Sequence, residues 1–321
     1  MIYITPIKPP AQMTQMKTRK FCSILTLTLL ILAPPVLSQS SSSGTPKRVF
    51  DVHLHFNHNQ TGVVTPEEAV AILKKQNVQY GVVSSTPPEL ALELQAADKK
   101  IILPLWRPYL EPISRHNWFN DQRVLPAARA ALATGQYYGI GELHMISGLG
   151  ATPKNTILNG LIGLGIEFDL PLLIHTETSS HKYFLPLCTH YPKARFLWAH
   201  AGSRLGPEEV DALLSQCRNV WVEFSARDNW RYLEDPIIDA SGRLLDSWLT
   251  LIKRYPDKFM IGADPVWPIE YLHNWDVPDT GWEKYDQYLN FHRHWIQHIP
   301  ASLADRIRFT NAYRFFFRKN P

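Results

Sequence analysis

From residue 49 onward, short apolar runs alternate with longer segments that carry helix signals. The runs stand at Val49–Phe56, Tyr80–Ser85, Ile101–Arg107, Tyr138–His144, Pro171–Thr176, Phe196–Ala201, Val220–Ser225 and Phe259–Asp264. They make eight candidate strands. Thr65-Pro66-Glu67-Glu68 is a capping box with proline at the first helical position, and it predicts a helix through Ala69–Gln76. Gly206-Pro207-Glu208-Glu209 opens a second helix to about Cys217, with Val210, Leu213 and Leu214 on one side. Pro88–Lys99, Pro126–Thr134, Pro153–Phe168, Leu244–Tyr255 and Glu283–His298 carry weaker helical patterns. Eight strands, each followed by a crossover, predict an α/β fold: a (β/α)8 TIM barrel over residues 49–321. An open doubly wound sheet is the competing arrangement. The run Gly160-Leu161-Ile162-Gly163-Leu164-Gly165 is no dinucleotide fingerprint, because it sits inside a helical stretch rather than just after a strand. Its glycines read as close packing.

The first 48 residues break this alternation. Lys17-Thr18-Arg19-Lys20 is a basic segment, Phe21–Leu32 is an uncharged and mostly apolar run, and Val36-Leu37-Ser38 suits cleavage before Gln39. Residues 1–38 therefore read as a secretory signal peptide, with an uncleaved N-terminal anchor as the alternative, and residues 39–48 as a Ser-rich linker. The apolar run is too short for a comfortable membrane span, so no stable membrane insertion is expected after cleavage. The expected location is periplasmic or secreted. Cleavage would leave Cys188 and Cys217, which could pair in an oxidising compartment.

Composition changes the picture in two ways. The chain of 321 residues is 45% hydrophobic and 19% charged, which excludes a disordered or collagen-like protein. Residues 1–38 hold four basic residues and no acidic ones, so the rest carries 29 charges of each sign. A neutral body lacks the basic face that nucleic-acid binding needs. The expected partner is a small-molecule substrate.

The candidate chemistry sits where apolar runs end. In Asp51-Val52-His53-Leu54-His55-Phe56, strand alternation puts Asp51, His53 and His55 on one face. Facing a barrel interior, two imidazoles need a partner, and a divalent metal is the obvious one. With 13 histidines in the chain the spacing alone is weakly specific. His292-Arg293-His294 repeats it in a helical, charged stretch, where it reads as surface. Context strengthens the first pair. Glu142 stands near the end of the fourth run, His175 ends the fifth, His200 the sixth and Asp264 the eighth. His144 shares the face of Glu142 and is a candidate for substrate contact.

That order resembles the amidohydrolase superfamily of metal-dependent barrel enzymes. The runs IGELH, LLIHTE, LWAHAG and MIGADPVW are most similar to its amidohydrolase-related branch of hydrolases and decarboxylases. Arg306–Phe316 is similar to that branch's usual ending, with Asn311-Ala312 in the last helix. The resemblance spans about residues 49–317. It implies that His53, His55 and His175 bind metal, that Asp264 binds the metal or its water and acts as general base, and that His200 is either a second-metal ligand or a neutral imidazole that polarises water or substrate. In a two-metal site Glu142 would be the bridging carboxylate; in a one-metal site its position would not be a ligand. The implied cofactor is one or two divalent ions, with Zn2+ the leading choice.

Such an ion acidifies water and polarises a carbonyl. Hydrolysis of an ester, lactone or amide is the economical reading, decarboxylation is the alternative, and a non-catalytic metal-binding barrel is the third. A nuclease-like two-metal hydrolase is disfavoured by the neutral body. Arg107 and Arg227, at the ends of the third and seventh runs, suit a substrate carboxylate, as does Arg204. Trp118, Trp230 and Trp267 fall in expected rim loops, where they could form an apolar wall.

Overall fold

A computed structural model describes residues 47–110, 116–177, 180–231, 236–267 and 277–321. The expected signal peptide and nearly all of the linker lie outside the described residues. Eight strands follow in chain order: β1 Val49–Leu54, β2 Val78–Ser84, β3 Ile102–Trp106, β4 Gly139–Ile146, β5 Leu172–Glu177, β6 Phe196–Trp198, β7 Val220–Glu223 and β8 Phe259–Met260. Each pairs in parallel with the next. The segment after β8 then returns to β1. Val52 N–H donates to the Ile261 carbonyl at 3.1 Å, and Asp264 N–H to the His53 carbonyl at 2.8 Å. These bonds close the sheet into the expected (β/α)8 barrel and exclude the open sheet.

The expected helices form as α1 Pro66–Lys75, α2 Glu89–Ala97, α3 Val124–Leu132, α4 Thr156–Glu167, α6 Pro207–Leu214, α7 Asp246–Arg254 and α8 Tyr285–Ile296. Both halves of the Thr65–Glu68 capping box are made. The sequence pattern did not signal α5, Leu185–His190. At the C-terminus α9, Ala301–Asp305, runs through a π turn into α10, Asn311–Phe317. Gly160 and Gly165 are close-packing residues, as expected, but Gly163 is not, since nothing lies within 4 Å of a Cβ built there. A Cβ on Gly160 would lie 2.6 Å from Leu125, and one on Gly165 would lie 2.8 Å from Leu172.

Alternation sorts the strand residues into two apolar layers. Leu54, Ile102, Ile140, Leu143, Ile174, Trp198, Val222 and Phe259 face the helices. Phe50, Val52, Val82, Leu103, Leu105, Leu173, Leu197 and Met260 fill the barrel, and Phe309, Ala312 and Phe315 plug it from below. Burial of each such side chain stabilises by about 1.5–3 kcal/mol. The Asn-Ala pair opens α10. Asn311 Nδ2 donates to the carbonyls of Pro256 and Phe259 at 2.9 Å, while Ala312 enters the plug. With the lower barrel filled, only the C-terminal rim is left for polar side chains.

Two expectations need correction. Asp51 does not share a face with His53 and His55. Asp51 pairs with Gly81 and Leu54 with Val83, so three residues of β1 oppose two of β2. This bulge reverses the alternation. Val52 enters the barrel below the histidines, while Asp51 turns away to accept from Tyr285 Oη at 2.7 Å and Ala263 N–H at 3.1 Å. The second His-x-His pair is also not all surface. His294 is exposed, but His292 is buried under α8, because positions i and i+2 lie on different sides of a helix. Cys188 and Cys217 are joined in a disulfide.

Candidate metal centre

His53 from β1, His55 just after it, Glu142 from β4, His175 from β5, His200 after β6 and Asp264 after β8 are all buried and converge at the C-terminal rim. His53 Nε2 lies 3.1 Å from His55 Nε2, and His200 Nε2 lies 3.1 Å from His175 Nδ1. Glu142 sits between these pairs. Its Oε1 is 2.8 Å from His175 Nδ1 and 3.7 Å from His53 Nε2, and its Oε2 is 3.4 Å from His55 Nε2. Asp264 Oδ1 is 3.3 Å from His55 Nε2 and 3.9 Å from His53 Nε2.

Local backbone breaks aim these side chains. In β4, Ile140 pairs with Leu172 and Leu143 with Ile174, a second place where three residues oppose two. Glu142 is thereby turned inward. Gly141 makes this possible, since it has φ +132° and a Cβ there would lie 2.4 Å from the Leu173 carbonyl. The sixth run was expected to stay extended to Ala201, yet β6 ends at Trp198. His200 and Ala201 take φ of 55° and 50°. Ala226 and Asp264 are left-handed too, at 51° and 47°. Such backbone is costly for residues other than glycine, and it gathers here at the site. Around Asp264 it is pinned by Arg231, which donates to the Asp264 carbonyl at 2.5 Å and to the Ala263 carbonyl at 3.0 Å.

The electrostatics are those of a site built for positive charge. Burial alone would push His53 down, but the carboxylates of Glu142, Asp264 and Glu223 hold it well above the ordinary histidine range. Burial likewise opposes His175, which Glu142 and Glu177 raise to about 9. Glu142 is held well below the usual carboxylate range by His144, His53 and His175, which outweigh its burial. Asp264 is depressed in the same way by His53, His55 and His200.

The donor set fits a metal ion. His55 Nδ1 is 2.7 Å from the Ser84 carbonyl, which can only accept, so His55 offers a lone pair at Nε2. Lone pairs and carboxylate oxygens packed this closely repel one another unless a cation lies among them. Among the described residues three triads could hold an ion: His53–Glu142–His200, His53–His55–Asp264 and Glu142–His144–His175. The first shares His53 with the second and Glu142 with the third, so the donor set is suited to two neighbouring ions.

Other candidates sit differently. Arg107 reaches the site as a partner of Glu142, with Nη2 3.1 Å from Oε2 and Nε 3.3 Å from its carbonyl. Its Nη1 donates to Thr86 Oγ1 at 3.1 Å. Arg227 turns to the loop after β6, donating to the carbonyls of Ser203 and Leu205 and lying over Trp248. Arg204 is exposed. Trp118 is buried in the helix-facing core, not in a rim wall, while Trp230 is 40% exposed. His144 stacks on His175 at 4.3 Å and meets Tyr109 Oη at 2.6 Å.

The sequence reading gave Glu223 no role. It is fully buried at the end of β7, depressed to about 2 by the histidines around it despite its burial, and 3.0 Å from His53 Nδ1. Its signal was present, since it follows Val220-Trp221-Val222 as His175 follows Leu172-Leu173-Ile174. Arg231, in the loop after β7, carried no such signal.

No family model and no curated protein sequence matches the chain. Solved structures do. An amidohydrolase from Burkholderia multivorans, solved with bound zinc, superposes with a TM-score of 0.54 at 15% identity, over 86% of this chain and 100% of that one. A 4-oxalomesaconate hydratase from Rhodopseudomonas palustris gives 0.53 at 12%, over 84% and 96%. The phosphotriesterase homology protein from Escherichia coli, with phosphate in its active site, gives 0.52 at 11%, over 85% and 99%. At these identities the likeness is one of fold, the (β/α)8 barrel that these proteins share with this chain.

Proposed function

We propose that this protein is an exported metal-dependent hydrolase acting on an ester, lactone or amide of a small substrate. The observation that carries the reading is the buried meeting of His53, His55, His175 and His200 with Glu142 and Asp264. Its position at the C-terminal rim of a barrel supports catalysis, because loops there can admit a substrate. The zinc bound by the Burkholderia amidohydrolase supports the choice of metal.

His53, His55 and Asp264 would hold one ion, and Glu142, His175 and His200 a second, with Glu142 shared. A divalent ion at such a site supplies Lewis acidity, which acidifies water and polarises a carbonyl. Asp264, kept ionised by the histidines beside it, accepts the proton of the attacking water and returns it to the leaving group. Arg107 holds the Glu142 carboxylate in place through Oε2. Export is supported by the pattern of residues 1–38 and by the Cys188–Cys217 disulfide, which suits an oxidising compartment.

The test is metal content per chain in protein purified without added metal, followed by a screen of esters, lactones and amides. One to two equivalents of zinc and turnover of at least one substrate are expected. Active protein without metal would sink the proposal.

A further inference from the structure

Glu223 at the end of β7 and Ser225 just after it place a carboxylate and a hydroxyl behind two histidines that lie 147 residues apart in the chain. Glu223 Oε1 is 3.0 Å from His53 Nδ1 and accepts the His200 backbone N–H at 2.7 Å. Its Oε2 accepts Ser225 N–H at 2.6 Å. Ser225 Oγ lies 2.9 Å from Glu223 Oε1, 2.8 Å from His200 Nδ1 and 3.2 Å from His53 Nδ1. All four residues are buried.

Hydrogen-bond bookkeeping gives this group one direction. The ionised carboxylate of Glu223 can only accept, so the Ser225 hydroxyl hydrogen goes to it and Oγ is left to accept. His200 Nδ1 faces that oxygen and also the Ser225 carbonyl at 3.1 Å, a second group that can only accept. The proton of the neutral His200 ring therefore sits on Nδ1. The same reasoning puts the His53 proton on Nδ1, facing Glu223 Oε1.

We infer that Glu223 and Ser225 are positioning residues that lock His53 and His200 as imidazoles with lone pairs at Nε2, through the relay His200 Nδ1–H to Ser225 Oγ–H to Glu223 Oε1, met by His53 Nδ1–H. The inference rests on reading the site as a metal centre and deepens it. It narrows the roles open to His200: with its lone pair at Nε2 this histidine can ligate a metal or accept from water, and it is not an N–H donor to substrate. It also ties the β1 and β6 ligands to one oxygen, so their spacing is set from β7.

The experiment uses full-length protein labelled with 15N-histidine. Long-range proton–nitrogen correlation reads which ring nitrogen carries the proton, and competition with a chromophoric chelator reads zinc affinity in the same samples. Wild type should show Nδ1–H at His53 and His200 in metal-free spectra taken at a pH high enough for both rings to be neutral. Ser225→Ala should mix the His200 tautomers, leave His55 unchanged, and weaken zinc about 10–100-fold, the usual effect of removing such a support. Glu223→Gln should weaken zinc by a similar factor. Ser225→Thr keeps the hydroxyl and should restore the His200 tautomer and bring zinc affinity back within about threefold. A wild-type His200 protonated at Nε2 would overturn the inference, as would a Ser225→Ala protein with unchanged tautomers and affinity. If wild type takes up no zinc, the metal reading fails, while the tautomers still decide the relay.

Discussion

At Asp264 one isosteric change separates binding from chemistry. Asp264→Asn keeps the shape and removes the charge and the proton acceptor. With His53, His55 and His175 still present, metal should stay bound, more weakly, while turnover falls about 10²–10⁴-fold. Steady-state rates beside metal analysis check this, and a rate within about threefold of wild type would move the base elsewhere. Glu142 poses a different question, since its two oxygens face different histidines. Glu142→Gln should lower the metal count by about one per chain and abolish turnover, because the second ion loses its shared anionic ligand. An unchanged count would remove Glu142 from the ligand set. At this scale the sequence was readable for the histidines and Asp264, because each follows an apolar run that must be a strand. Arg107 shows the limit. Arginine at a strand end looks the same whether it meets substrate or, as here, a neighbouring carboxylate.

Elements carry the site through their irregularities. The bulge in β1 turns His53 inward, and the one in β4 does so for Glu142. Gly141 is the hinge of the second. Gly141→Ala should cost stability and scatter Glu142, because the added Cβ meets the Leu173 carbonyl at 2.4 Å in a left-handed backbone. A fall in zinc content larger than the loss of melting temperature explains would mark the local effect. Strand alternation reads a regular strand. It assigned Asp51 to the wrong face because a bulge is decided by the neighbouring strand, not by the hexapeptide. Helix α8 gave a similar lesson. His292 is buried, with Nε2–H donating to the Gly262 carbonyl at 3.0 Å and Nδ1 accepting from Trp295 Nε1 at 3.3 Å. Its two neighbours in space, not its His-x-His spacing, define its role.

For the whole molecule, His292 gives a pH dependence with a definite sign. Burial lowers it to about 4 from an ordinary value of 6.5, outweighing the attraction of Glu223. The folded state therefore binds fewer protons than the unfolded one between these values. The contribution is present above about pH 6.5 and is lost as pH falls through about 4, some 3 kcal/mol in all. Unfolding free energies across that range should fall more steeply for wild type than for His292→Gln, even though the variant starts from lower stability. Equal slopes would show that other groups govern acid unfolding. The export proposal belongs to this scale as well. The mature chain should begin near Gln39, and an intact N-terminus on cytosolic protein would refute it.

The linear chain determined the strand and helix order, the barrel class and the rim positions of His53, His55, His175, His200 and Asp264. These follow from local rules: apolar runs make strands, capping boxes start helices, and a polar residue after a buried run lands where the strand emerges. Tertiary structure alone decided which groups touch. The Glu223 contact with His53 spans 170 residues and that of Trp282 with the His55 carbonyl spans 227. Such contacts exist only once β8 meets β1 and the rim closes. The two bulges, the left-handed turn at His200 and the β7 support belong to that closure, because each is set by a neighbouring strand that the local sequence does not contain.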